Sequence, residues 1–183
     1  MELRLRALDA STAADFHAVM EASGEETRKC RCTAYHVKYW EDPALARPCR
    51  DRLVAEGRSD GFLLYGDGAP LGWCQAAPRE AFALMDRHAG PGGDPGGWAI
   101  TCMVLVPGER GKGLAHALLR LVLEEVRRRG ARRVQAVAAR YGPGEDTSGG
   151  VEIPESLCRK AGMALERDHP MRPVYALDLR GGG

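Results

Sequence analysis

The chain has 183 residues, 44% of them hydrophobic and 28% charged, enough to bury one core and too ordinary in composition for wholesale disorder. Its 26 basic and 25 acidic residues leave a net charge of +1, so no chain-wide field draws nucleic acid or an anionic membrane, and a polyanionic ligand must be met by a local cluster. Two domains would each be starved of core, and a single domain over residues 1–183 is expected.

No run reaches the ~18 apolar residues of a membrane span, and Met1-Glu2-Leu3-Arg4-Leu5-Arg6 alternates charge where a leader would be apolar. The expectation is a soluble, cytoplasmic protein with no membrane partner. Six cysteines, at positions 30, 32, 49, 74, 102 and 158, are too sparse for a disulfide scaffold, and reduced thiols are expected. Only Lys29, Lys38, Lys112 and Lys160 are lysines; the arginine excess is read as compositional.

In chain order, Glu2 to Leu8 alternates apolar and charged residues with the period of a half-buried strand. Thr12-x-x-Asp15 predicts a helix cap, followed by a stripe of Phe16, Val19 and Met20 that stops at Gly24. Asp42-Pro43 announces a second helix with Leu45, Cys49, Leu53 and Val54 on one face and Gly57 beyond it. Between these helices, 25–41 is irregular in pattern. Gly61 to Tyr65 and Pro70 to Ala77 flank Gly66-Asp67-Gly68-Ala69, a hairpin signal. Residues 87–97 read as loop. Trp98 to Val106 is an apolar run bounded by Gly97 and Pro107, a strand buried on both faces at the centre of the sheet. A turn over 107–112 leads into a helix over 113–129, capped by Gly130, and Arg132 to Arg140 returns as a strand, so a parallel crossover is expected. After a Gly-rich loop (141–150), Pro154 to Ala161 predicts a short helix, and Met163 to Glu166 and Val174 to Leu179 predict closing strands.

The informative feature is Val104-Leu105-Val106-Pro107-Gly108-Glu109-Arg110-Gly111-Lys112-Gly113-Leu114-Ala115, a buried strand running into a glycine-rich helix start. Backbone N–H groups exposed there, backed by the positive end of the helix, suit phosphate oxygens; Arg110 and Lys112 add charge, with His116 and Arg120 close by. A Walker loop fails because Val106 holds its first glycine position. A dinucleotide fingerprint starting at Gly111 meets His116 where its third glycine belongs. A turn that merely caps a helix remains open.

Arg110-x-x-Gly113-x-Ala115 is similar to the Arg/Gln-x-x-Gly-x-Gly/Ala signature of the GCN5-related N-acetyltransferases, and the order of elements from Glu2 to Leu179 resembles that fold over nearly the whole chain. The resemblance implies an α/β (α+β) architecture: a central mixed, mostly antiparallel sheet, a parallel central strand pair splayed around acetyl-CoA, and flanking helices. It implies that Met103, Val104 and Leu105 pair through their main chain with the pantetheine arm. It also implies that Arg110, Gly111, Lys112, Gly113, Leu114, Ala115 and His116 cradle the pyrophosphate.

The implied activity is acetyl transfer from acetyl-CoA to a primary amine by direct attack. The Leu105 N–H is the expected oxyanion donor. An amine is mostly protonated at pH 7, so a base is needed. Glu80 is the first candidate and a water relay the second; Asp86, His88, Asp94, His36 and Tyr39 are others. The family's tyrosine acid, four residues before the glycine that ends the last helix, maps onto Cys158, which is either a proton donor or a core residue. Tyr141 is a weaker substitute, and the asparagine that often precedes that tyrosine is replaced by Val151.

Cys30-x-Cys32-x-x-x-His36 with Cys49 has the ligand types for zinc, but the spacing is tight and a second matched pair is lacking, so no metal is expected. Arg127 to Arg129 with Arg132 and Arg133 reads as a solvated complement to a helix C-terminus; RNA as acceptor rests on that run alone. Trp40, Trp73 and Trp98 are candidates for an acceptor pocket or for core. The rival from another class is a non-catalytic acyl-CoA-binding or sensor protein of the same fold. A homodimer is an expectation by association only.

Overall fold

The computed structural model describes residues 1–38, 41–58, 60–91, 96–142 and 152–180. Its elements run β1 (Leu3–Ala7), α1 (Ala13–Ser23), α2 (Glu25–Cys30), α3 (Pro43–Ala55), β2 (Gly61–Gly66), β3 (Ala69–Pro78), a 3₁₀ turn at Arg79–Ala81, α4 (Met85–Ala89), β4 (Trp98–Leu105), a 3₁₀ turn at Pro107–Glu109, α5 (Leu114–Arg128), β5 (Arg133–Ala139), β6 (Ile153–Pro154), α6 (Glu155–Lys160), β7 (Ala164–Arg167) and β8 (Val174–Asp178). The sheet order is β1-β2-β3-β4-β5-β8-β7, with β6 beside β5. All neighbours are antiparallel except β4–β5 and β5–β6. This is the mixed, mostly antiparallel sheet with a central parallel pair that the sequence resemblance implies.

Local chemistry explains most boundaries. Asp67 (φ 49°) and Gly68 (φ 88°) both take the left-handed conformation that a two-residue hairpin requires, and they join β2 to β3. The Asp42 carboxylate caps α3 by accepting from Ala44 N at 2.9 Å, with Pro43 as the first helical residue. The cap expected at Thr12 does not form. Its hydroxyl donates instead to the Ala7 carbonyl at 3.0 Å, and Asp15 accepts from the Tyr65 hydroxyl at 2.6 Å. Two helices lie in stretches without a helical pattern. In α2 only Thr27 and Cys30 are buried, and acids at its start with bases at its end suit the helix dipole; α4 is a five-residue turn of helix resting on Met85 and Ala89.

The β4–β5 pairing positions everything that follows. Only Trp98–Val134, Ala99–Gln135 and Ile100–Ala136 are partners. Opposite β3, Gln75 faces Cys102 and Ala76 faces Ile100, which leaves Thr101 as an extra residue in β4. Such a bulge bends its strand, and it falls one residue after the last β5 partner. Beyond it β4 follows β3, while the end of β5 takes β6 at Ala138 and Ala139. One face of the sheet packs on α5 through Leu114, Leu118, Leu119, Val122 and Val126, with Ile100 and Met103 beneath them. The other face packs Cys102, Val104 and Trp73 on Phe16, Val19 and Met20 of α1.

Beneath that second face lies a buried polar network. Arg50, fully buried, donates to Asp60 Oδ1 at 2.5 Å, to Arg31 O at 3.1 Å and to Cys32 O at 2.7 Å. Gln75 Nε2 donates to Asp60 Oδ2 and Cys32 O, both at 2.7 Å, and its Oε1 accepts from the Thr101 hydroxyl at 2.8 Å. His36 Nε2 lies 2.8 Å from Asp60 Oδ2. Burial alone would raise the Asp60 carboxyl, but Arg50 and His36 together hold it well below the usual carboxylate range.

Removing one partner of a buried ion pair leaves an uncompensated charge. Arg50→Ala should destabilise the protein by about 3–5 kcal/mol in urea unfolding. Because the folded carboxyl is depressed, the wild-type contribution of Asp60 is complete above its unfolded value of roughly 3.9 and is lost as pH falls below it. A stability profile flat from pH 4 down to pH 2 would contradict this.

Candidate functional site

At the open end of β4 the chain turns through Val106 to Gly113 into α5. Gly111 (φ 74°) and Gly113 (φ 79°) are left-handed, and a Cβ on either would project into open space. Here glycine is required by conformation, and the loop face above it is clear. The turn's own bonds, Glu109 N to Val106 O and Arg110 N to Pro107 O, stop short of Gly111, and His116 N turns back to Gly113 O. Among the described residues no acceptor takes the N–H of Gly111, Lys112, Gly113, Leu114 or Ala115. Five successive donors at a helix N-terminus form a cradle for anionic oxygens.

The signature arginine plays a different part from the one its charge suggests. Arg110 Nε donates to Leu105 O at 3.1 Å, and its Nη2 donates to Ser23 O at 3.0 Å, so its guanidinium ties the loop to β4 and to the end of α1. The Lys112 ammonium is half-shared with Glu109 Oε1 at 3.2 Å. From the first turn of α5, His116 and Arg120 continue into a groove of about 190 Å³, whose other wall carries Lys160, Leu177 and Leu179.

Val106 N donates to Leu71 O across β3, so by strand alternation the main chain of Val104 is also turned to β3. The expectation that Val104 pairs with a ligand is thereby corrected: its polar groups are spent inside the sheet. Met103 and Leu105 present theirs to the opposite edge, where β5 has parted and supplies no partner.

On the far side of the sheet from α5, the same stretch of β4 floors a cavity of about 70 Å³. Thr101, Cys102 and Gln75 come from the sheet, Cys30, Cys32, Ala34 and Tyr35 from the segment around α2, His88 from α4, and Glu26, Glu152 and Arg172 stand at its rim. The His88 ring lies 4.5 Å, centroid to centroid, from that of Tyr35. Burial, and then the positive charges of Arg172 and Arg87, push its imidazole below the ordinary histidine value. At neutral pH it is uncharged and holds a lone pair. Glu152 is held by Arg172 at 2.8 Å.

Other expected residues fall elsewhere. Glu80 is exposed in the 3₁₀ turn after β3, whose last residue pairs with Trp98, the zipped end of β4. Thr101 lies about 10 Å and Leu105 about 23 Å further along the strand, and Glu80 does not line the cavity. Asp86 is exposed and spent on Arg79 at 2.5 Å. His36 is committed to Asp60. Cys158 is buried under α6 in the α5-side core, and burial pushes its thiol up to about 12. Trp73 and Trp98 are core. In the basic run, Arg128 and Arg129 both pair with Glu125. Tyr39, Trp40, Asp94 and Val151 lie outside the described residues, and among those described no three His, Cys, Asp or Glu side chains gather as a metal site. No helix among them is long and apolar enough to cross a membrane.

A family model described as "Acetyltransferase (GNAT) family" matches residues 19–142. No curated protein matches the chain. Among solved structures, the GNAT domain of S. lividans PAT superposes with a TM-score of 0.62 at 18% identity, covering 96% of this chain and 90% of that one. The PaiA N-acetyltransferase of Thermoplasma acidophilum, in complex with coenzyme A, gives 0.60 at 13%, covering 97% and 99%. The Salmonella typhimurium yncA structure, with its cofactor acetyl-CoA, gives 0.58 at 16%, covering 97% and 94%. At these identities the likeness is one of fold.

The setting of His88 is open to direct measurement. Its imidazole should titrate below 6.5 in a pH series of histidine NMR spectra, and Arg172→Ala should move it upward. An unshifted His88 in the wild type would remove it from consideration as a base.

Proposed function

This chain belongs to the acetyltransferase (GNAT) family, and from that premise we propose that it transfers the acetyl group of acetyl-CoA to a primary amine by direct attack. The observation that carries the reading is the alignment of three features along one strand. The amide cradle lies at the open end of β4, an unpaired β4 edge leads inward from it, and a cavity waits on the opposite face at the bulge.

Acetyl-CoA supplies an activated acyl group, and the residues present fit it. The five free amides from Gly111 to Ala115 suit a pyrophosphate, and His116, Arg120 and Lys160 line a groove suited to further anionic groups. The edge groups of Met103 and the Leu105 N–H suit an amide-bearing arm. The cavity reaches Thr101 and Cys102, so the edge N–H nearest to it belongs to Met103. The oxyanion role therefore moves inward from Leu105 to Met103, by two residues or about 6.6 Å.

On the acceptor side, the Glu26 carboxylate at the rim suits an incoming ammonium ion, whereas that of Glu152 is paired with Arg172. His88 replaces Glu80 as the candidate base. The ammonium sheds one proton to water before it can attack, and a weak base then suffices for the second, because nitrogen becomes strongly acidic once it carries the acyl carbon. Cys158 is a poor acid for the departing thiolate: a thiol near 12 loses its proton less readily than the reference thiol near 8.5. The reading assigns it to the core.

Calorimetric titration with acetyl-CoA, followed by a panel of amines, tests the whole. Binding followed by amine-dependent heat is expected; binding without turnover would favour the sensor reading, and no binding would remove the cradle. Gly113→Trp should abolish acetyl-CoA binding, whereas Cys158→Ala should leave both binding and turnover in place. His88→Gln should lower kcat by about 10²–10⁴ without changing affinity for acetyl-CoA. Undiminished turnover in that variant would hand the proton to water.

A further inference from the structure

Three of the six cysteines line the acceptor-side cavity, and two of them are placed with unusual care. Cys32 follows α2 in a turn whose residues Arg31 (φ 45°) and Cys32 (φ 53°) are both left-handed. Consecutive non-glycine residues in that region persist only where the surroundings over-determine them. Here the Arg31 and Cys32 carbonyls are caught by the buried Arg50 guanidinium, and Gln75 takes the Cys32 carbonyl as well. The effect is to hold the Cys32 sulfur 3.0 Å from that of Cys102, immediately after the β4 bulge. Trp73 Nε1 donates to the Cys32 sulfur at 3.2 Å.

We propose that Cys32 and Cys102 are a peroxide-sensitive thiol pair that closes into a disulfide across the floor of the acceptor cavity and stops acetyl transfer. The effect on transfer rests on the acetyltransferase reading; the disulfide itself does not.

The chemistry balances with a hydroperoxide as oxidant. The Cys32 sulfur attacks the terminal peroxide oxygen and becomes a sulfenic acid as the O–O bond breaks, and the Cys32 proton goes to the departing oxygen, which leaves as an alcohol or, from hydrogen peroxide, as water. The Cys102 sulfur then displaces the sulfenic oxygen, which leaves as a second water carrying the Cys102 proton, and the S–S bond forms. The two sulfurs together lose two electrons to the peroxide. Assignment of Cys32 as the first nucleophile follows from Trp73, whose N–H meets charge developing on that sulfur. Cys102 is kept protonated by its bond to Cys32 and by burial, so it is not the first to react, and it yields that proton to the departing oxygen as the S–S bond forms. Closing from 3.0 Å to a bond of about 2.05 Å needs a shift of only ~1 Å. A cavity of about 70 Å³ has room for a small hydroperoxide beside the two sulfurs.

Trypsin cuts after Arg31 and so separates Cys30 from Cys32, which makes the pairing readable. Full-length protein treated with hydrogen peroxide should lose 2 Da and yield a peptide of 32–38 joined to 88–110, reversed by dithiothreitol. Cys102→Ala should stop at a sulfenic acid trapped by dimedone. Amine-dependent turnover should fall at least tenfold in step with the cross-link and recover with dithiothreitol, while acetyl-CoA affinity stays within twofold. Absence of the joined peptide, or a bond between Cys30 and Cys32 instead, would overturn the proposal whatever the activity. Full turnover in cross-linked protein would overturn its effect on transfer. If the untreated protein shows no transfer at all, it is the acetyltransferase reading that fails, and the joined peptide alone decides the pair.

Discussion

Parallel strands hold together through evenly spaced main-chain bonds, and a strand that leaves its neighbour exposes polar groups that must be satisfied some other way. In this protein β4 leaves β5 after Ile100, at the point where Thr101 adds one residue to the strand. Everything else is arranged around that parting. β6 repairs the far side by pairing with Ala138 and Ala139. The near side stays open among the described residues at Met103 and at the Leu105 N–H, while Leu105 O is taken by Arg110. The glycine-rich turn and helix start lie directly beyond, so donors at the strand edge and donors from Gly111 to Ala115 follow one another along the chain, separated by a turn whose own N–H groups are spent.

The buried network below the cavity gives the parting its rigidity. Thr101 sits on Gln75, Gln75 on Asp60, and Asp60 on Arg50 and His36. The same arginine fixes the turn that carries Cys32. One buried cation thus sets both the bulge residue and the thiol opposite it. Buried ion pairs of this kind add little net stability compared with apolar packing, but loss of one member is costly. Their role here is to define position.

The sequence shows the fold well wherever the signal is local. Alternation in Glu2–Leu8, the Asp67-Gly68 hairpin signal, the closed apolar run from Trp98, the amphipathic stripe of α5 and the glycine-bounded turn each appear within a window of ten residues or so. What it hides depends on distant neighbours. α2 and α4 are too short to display a period and exist because Cys30 and Met85 find burial. Glu80 looked apt because it follows a strand, but antiparallel pairing sends that end of β3 to the zipped end of β4, and His88, four residues into α4, reaches the cavity instead. Arg110 reads as charge for a ligand, yet its guanidinium finds two main-chain carbonyls 5 and 87 residues away. The pairing of Cys32 with Cys102, 70 residues apart, has no trace in spacing at all.

The open edge of β4 also bears on how the protein persists. Any ligand that docks against Met103 and Leu105 completes the sheet, so it binds the folded chain and not the unfolded one. At a concentration a hundredfold above its Kd, such a ligand raises folding stability by about 2.7 kcal/mol, a large share of the margin on which a domain of this size survives. On the proposed function that ligand is the acyl donor, and the persistence of the fold is then coupled to the donor's supply. Scarcity of the donor slows the reaction and at the same time shortens the lifetime of the catalyst.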